Sequence, residues 1–160
     1  PNGPNGPLMP EIHQFAPHAK YVPRRGEINA WDNPDFVAAV KATGRKKLII
    51  AGTTTSVCMA FPSNPAVADG YKVFAVVDAS GTYSKMAQEI TLARIVQAGV
   101  VPMDTAAVAS ELQKTWHRDD AQQWAGIYTM IFPPYQLLIE SYMKAQDVEK
   151  HHEVLDSQRG

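Results

Sequence analysis

Three short apolar runs, each followed by a stretch of helical periodicity, constrain this chain more than any other feature. Lys47 to Ala51 (KLIIA) and Lys72 to Asp78 (KVFAVVD) lack polar alternation, the pattern of strands covered on both faces. Val100 to Met103 is a third, shorter strand. Helices are predicted around and between them. Asn33-Pro34 starts one, with Asn as N-cap and Pro at the first helical position. Phe36, Val37 and Val40 form its apolar stripe, and Thr43-Gly44 closes it. After Cys58 a helix is expected to be interrupted at Pro62 and Pro65, to restart with Asn64 as N-cap, and to end at Asp69-Gly70. Lys85 to Ala98 is a strong amphipathic helix with Met86, Ile90, Ala93 and Val96 on its apolar face. Asp104 caps a further helix through Trp116, and the chain to about Lys150 reads as helix broken at Pro133-Pro134. Strand and helix alternating in this way is the βαβ signature. It predicts an α/β fold: a three-layer α/β/α sandwich with a mostly parallel sheet.

The length of 160 residues suits one domain with one core, read as residues 1–150, followed by a polar tail over 151–160 (HHEVLDSQRG). Fifteen Lys and Arg against sixteen Asp and Glu leave a net charge of -1. With no basic run, that argues against a nucleic-acid partner. No apolar run approaches a membrane span. A single cysteine forms no internal disulfide, which fits a reducing, cytoplasmic setting. The chain opens on PNGPNGPLMP without an initiator Met or a preceding strand, as if entered partway through a domain. Residues 1–30 read as loop, with a brief helix around Pro10 to Phe15.

The single cysteine lies in AGTTTSVCMAFP, residues 51–62, in the turn after the KLIIA strand. Ligands of open α/β sheets bind beyond the carboxyl ends of the strands, which is where this turn lies. Unpaired amides and the dipole at a helix start stabilise a thiolate and the oxyanion it forms on attacking a carbonyl. Position alone leaves two readings of Cys58: a nucleophile, or a small buried hydrophobe. The five histidines show no metal-ligand spacing, and neither G-x-G-x-x-G nor a P-loop is present.

AGTTTSVCMAF resembles the G-x-x-T-x-x-C turn of the isochorismatase-like cysteine hydrolases, and within them the YcaC-type subgroup. INAWDNPDFVAAVKATGRKKLIIAG, PNGPLMPEI and VVDASGTY are similar to that subgroup's flanking segments at consistent spacing, so the resemblance covers most of residues 4–125. It implies that Cys58 is the nucleophile and that the Thr53–Thr54 bond is cis. It further implies that the amides of Thr54 and Cys58 form the oxyanion hole and that Thr55 supports the turn and the substrate side of the site. Arg24, with Arg25 beside it, matches the position of the second catalytic residue, a lysine in most of the family. An arginine there supplies fixed positive charge rather than a proton. Trp31 would wall the substrate pocket. The resemblance implies no cofactor and no metal, a small-molecule amide or related carbonyl substrate, and a homo-oligomer, an octamer of stacked rings. The aromatic and proline-rich stretch from Trp124 to Tyr142 is a candidate surface for that assembly.

The family's catalytic aspartate ends a first strand that would precede Pro1, and this chain shows neither. An incomplete chain is the favoured expectation, with Asp78 the nearest internal acid. The rival reading is a non-catalytic, oligomer-forming member of the family.

Overall fold

A computed structural model describes residues 7–152. The PNGPNG opening and residues 153–160 of the expected tail lie outside the described residues. The chain divides into two compact units, Pro1–Asp104 and Thr105–Gly160.

In the first unit α1 (Pro10–Phe15) is followed by a 3₁₀ turn (Ala30–Asp32) and α2 (Pro34–Ala42). The start of α2 follows from its sequence: the Asn33 side chain accepts the Phe36 amide, and Pro34, which has no amide to satisfy, takes the first position. Then come β1 (Lys47–Ile50), a π-helical turn (Thr55–Met59), α3 (Ala60–Ala68), β2 (Lys72–Val76), α4 (Lys85–Gln97) and β3 (Val101–Met103). The three strands are parallel in the order β1-β2-β3. Leu48 pairs with Val73, and Phe74 with Val101. Helix α3 packs on β2, α4 on β3, and the two helices touch. Between sheet and helices lies a core of Met59, Ala60, Ala66, Val73, Ala75, Ile95 and Val100.

The structure corrects three expectations here. Strand β1 is not covered on both faces. Leu48 and Ile50 pack on the core, but Ile49 is 52% exposed. Consecutive strand residues point to opposite faces, and only one face of this edge strand is covered among the described residues. The central strand β2 comes nearest to the burial expected, with Val73, Ala75 and Val76 buried and Phe74 half-buried.

Helix α3 runs unbroken through both prolines. Pro62 falls in its first turn, where few helical bonds depend on it. The Ser63 hydroxyl donates to the Met59 carbonyl at 2.5 Å. Asn64 does not act as a cap, and its Oδ1 is buried with no hydrogen-bond partner among the described residues.

Helix α4 forms as expected, with the Ser84 side chain accepting the Ala87 amide, but it presents the other face to the core. Met86, Ile90 and Val96 are exposed, while Thr91 and Ile95 are buried. Thr91 is tolerated inside because its hydroxyl donates to the Ala87 carbonyl one turn back, at 2.7 Å.

The second unit is helical: α5 (Thr105–Gln113), α6 (Ala121–Ile131) and α7 (Pro133–His151), with α6 packed on both α5 and α7. Helix α5 stops three residues before the expected Trp116, because Lys114 turns into the left-handed region at φ 67°. Pro133 and Pro134 open α7, as the sequence predicts for a break at that point. Trp116, Tyr128, Phe132 and Tyr135 form an aromatic cluster, with the Tyr128 and Ser110 hydroxyls 2.9 Å apart. A bidentate pair joins Arg118 to Asp120 at 2.6 and 2.7 Å, and this contact holds the Asp120 carboxyl below its ordinary range. No helix among the described residues is long and apolar enough to cross a membrane.

Candidate active site

The chain leaves the carboxyl end of β1 into a tight turn. An added Cβ on Gly52 would lie 2.8 Å from the Cys58 carbonyl carbon and 2.9 Å from its oxygen. A side chain at 52 is therefore excluded by the backbone of Cys58. The Thr53–Thr54 bond is cis. Beyond it the Thr54 carbonyl receives three amides, those of Val57 at 3.1 Å, Cys58 at 2.8 Å and Met59 at 3.4 Å. This shared acceptor closes the π-helical turn that carries Cys58 and leads into α3.

A second loop, between β2 and α4, grips the first. The Ser80 hydroxyl accepts the Gly52 amide at 3.2 Å and donates to the Val76 carbonyl at 2.7 Å. The Gly81 carbonyl accepts both the amide and the hydroxyl of Thr55, at 2.6 and 2.8 Å. Gly81 also sits against Thr53: a Cβ there would come within 2.9 Å of the Thr53 methyl.

Cys58 is half-buried and lines a cleft of about 1190 Å³ together with Thr54, Val57, Pro62, Trp31, Arg24 and Arg25. Of the residues that the family resemblance assigns to the site, the structure brings all but one to this cleft. The exception is Thr55, expected on the substrate side. It is fully buried, and its two donors both go to Gly81, so it props the turn from behind.

The Arg24 guanidinium donates to the carbonyls of Glu27 and Ile28 at 3.2 and 2.9 Å, which folds the 24–28 loop around the charge. Trp31 donates from Nε1 to Asp69 at 3.0 Å and meets Phe36 and Tyr71 edge-on. Its ring is therefore a fixed wall of the cleft.

Glu27 lines the cleft too, a residue that sequence reasoning missed. Backbone amides, its own and that of Arg25, hold its carboxyl below the usual carboxylate range, with help from Asn33 and the Arg25 charge. An anion so engaged is a poor proton acceptor. Asp78 is exposed and does not line the cleft. Among the described residues no group of three His, Cys, Asp or Glu is placed to hold a metal ion.

The expected oxyanion hole is half realised. The Cys58 amide is engaged with the Thr54 carbonyl, whereas the Thr54 amide has no hydrogen-bond partner among the described residues. The arrangement therefore offers one sulfur, one unengaged main-chain donor and two guanidinium-bearing side chains on the walls of one cleft. A sulfur and a free main-chain donor are two of the elements that attack on a carbonyl uses.

Comparison with known proteins bears on the same residues. The profile of the isochorismatase domain matches residues 1–107, which include the whole turn and the loop that grips it. The probable hydrolase YcaC of Escherichia coli is 48% identical over 140 residues, covering 88% of this chain and 67% of that protein. Two solved structures superpose with a TM-score of 0.83 at 48% identity. One is YcaC from Pseudomonas aeruginosa with hexane-2,5-diol and covalent acrylamide, matching 88% of this chain and 69% of that one. The other is E. coli YcaC, described as an octameric hydrolase of unknown specificity, matching 89% and 70%. A shared α/β fold, a thiol turn in the matched region and this level of identity lead to one conclusion: the chain belongs to the isochorismatase family of hydrolases.

Proposed function

We propose that this protein is a cysteine-dependent hydrolase of a small amide or related carbonyl compound. The observation that carries the reading is Cys58 on the cleft wall beside a Thr54 amide with no partner among the described residues. The Cys58 thiolate attacks the carbonyl carbon, and the Thr54 amide donates to the oxyanion. Arg24, with Arg25 beside it, stabilises both negative charges. The carbon–nitrogen bond breaks, the amine leaves with a proton taken from water in the cleft, and an acyl thioester remains on Cys58. Water then hydrolyses the thioester and regenerates the thiol. The cleft takes a small molecule, and Trp31 is its aromatic wall. No step calls for a cofactor, and the setting proposed is cytoplasmic. The covalent acrylamide held by the P. aeruginosa relative supports a reactive nucleophile in that protein, since nucleophiles bond to acrylamide at its vinyl carbon and leave the amide intact.

The test is a panel of small amides assayed for ammonia or amine release, with acid-quenched protein examined by mass spectrometry. An acyl adduct on Cys58 that hydroxylamine removes is expected. Turnover with no adduct at Cys58, even under rapid quench, would move the chemistry elsewhere.

One observation favours a second reading, a non-catalytic, assembly-forming protein. The one carboxylate lining the cleft among the described residues, Glu27, is tied up by backbone and side-chain donors. Absence of turnover across the panel, with Cys58 still open to alkylation, is the result that reading expects.

Both readings include a homo-oligomer. Support comes from the octameric E. coli relative and from exposed apolar residues in and just beyond the 124–142 stretch, notably Met130, Leu137, Leu138, Tyr142 and Met143. Light scattering is expected to give eight subunits; a monomer at micromolar concentration would remove the assembly from both.

A further inference from the structure

We propose that Ser80 and Gly81 are positioning residues for Cys58, acting as a latch that fixes the thiol turn from the neighbouring loop. The inference rests on Cys58 being the nucleophile. It is carried by the way the second loop accounts for the first. The Gly52 amide goes to the Ser80 hydroxyl, and that hydroxyl is itself anchored on the last residue of β2. The Thr55 amide and hydroxyl converge on the Gly81 carbonyl. Between these fixed points the Thr53 methyl fills the space in front of Gly81. The turn is therefore held at residues 52, 53 and 55, while the Thr54 amide between them has no partner among the described residues.

Gly52 in turn lies against the Cys58 backbone, so displacing residue 52 displaces the sulfur. The latch thus sets the separation between Sγ and the Thr54 amide, the two groups that must meet one carbonyl. Misplacement of reacting groups by about 1 Å costs on the order of 100-fold in rate, so a latch of this kind is worth a measurable factor.

The steric half of the latch gives a test that needs no natural substrate. Iodoacetamide offers an amide oxygen to the Thr54 amide while its methylene carbon meets Sγ. The sulfur–carbon bond forms, iodide leaves, and the thiol proton goes to solvent. Methyl methanethiosulfonate reacts with the same thiol but carries no amide. The readout is the ratio of the two rate constants on the native protein. A general loss of stability alters both rates together, whereas a shift of Sγ against the Thr54 amide alters their ratio.

Gly81→Ala is expected to lower the ratio about tenfold, since the new methyl must displace Thr53. In the Thr53→Ala background the contact disappears, leaving only the Thr53 Cβ at 3.5 Å. There the same Gly81→Ala change is expected to alter the ratio less than about twofold. An unchanged ratio for Gly81→Ala, or an equal fall in both backgrounds, would overturn the proposal.

Ser80→Ala removes one hydroxyl and is expected to lower the ratio about threefold. A wild-type ratio in that variant also overturns the proposal, whether or not Gly81→Ala folds. Because the measurement involves no turnover, failure of the latch is separable from failure of the hydrolase reading, which shows instead as missing acyl adduct.

Discussion

Cys58→Ala is expected to lower amide turnover at least about 10³-fold while leaving the melting temperature within about 3 °C of wild type. The loss is large because no second thiol exists in the chain to substitute for it. No carboxylate or histidine among the described residues is placed to activate water in its stead: Glu27 is engaged, and Asp78 lies outside the cleft. The structural cost is small because Cys58 is half-buried on a cleft wall rather than enclosed. Removing its sulfur widens an open space instead of creating a sealed void. Cys58→Ser refines the result. A hydroxyl at that position keeps the shape but is a far weaker nucleophile without an adjacent base, so its rate is expected close to that of the Ala variant. Steady-state release of ammonia or amine measures all three proteins. A Cys58→Ala rate within tenfold of wild type would place the nucleophile elsewhere.

Gly52→Ala is expected to cost on the order of 100-fold in turnover and about 1–3 kcal/mol in stability. The added methyl meets the Cys58 carbonyl carbon at 2.8 Å and its oxygen at 2.9 Å. These are backbone atoms at the start of a helix and cannot rotate out of the way as a flexible side chain would. Either the turn rises off β1 or the cysteine is pushed along the cleft. The first outcome also breaks the Gly52–Ser80 bond. A matched control is Gly126→Ala in α6, where a Cβ would meet nothing within 4 Å. Exchange of a helical glycine for alanine where the new methyl meets nothing within its own chain is expected to raise stability by roughly 0.5–1 kcal/mol. Thermal melts of the pair, with turnover measured beside them, separate the effect of the site from the effect of losing a glycine. Wild-type turnover in Gly52→Ala would show that the close approach to Cys58 is not needed.

Local signals carried far along this chain. Asn33-Pro34 identified a helix start because cap and first-turn chemistry are contained in two adjacent residues. The thiol turn was legible because its glycine, threonines and cysteine lie within seven positions, 52–58. What failed was information that only packing supplies. The face of α4 was misread because apolar residues occur on both of its sides, and the buried Thr91 hides its polarity in a bond to its own helix. Helix α3 runs on through Pro62 and Pro65 directly from a π-helical turn that no sequence pattern announces. The coverage of β1 depended on what lies across from Ile49, which no strand pattern contains. Glu27 and the Ser80–Gly81 pair were missed for a related reason. Ser80 and Gly81 lie in the VVDASGTY segment, but their grip on residues 28 and 26 positions earlier exists only once β1 and β2 lie side by side.

The contact between Thr53 and Gly81 also restricts the order in which this site can change over generations. A lineage that first trims residue 53 opens room for a side chain at 81, whereas one that enlarges 81 first passes through a strained intermediate. The two positions form a one-way street for descent, and routes to a reshaped pocket are expected to enter it from the threonine end.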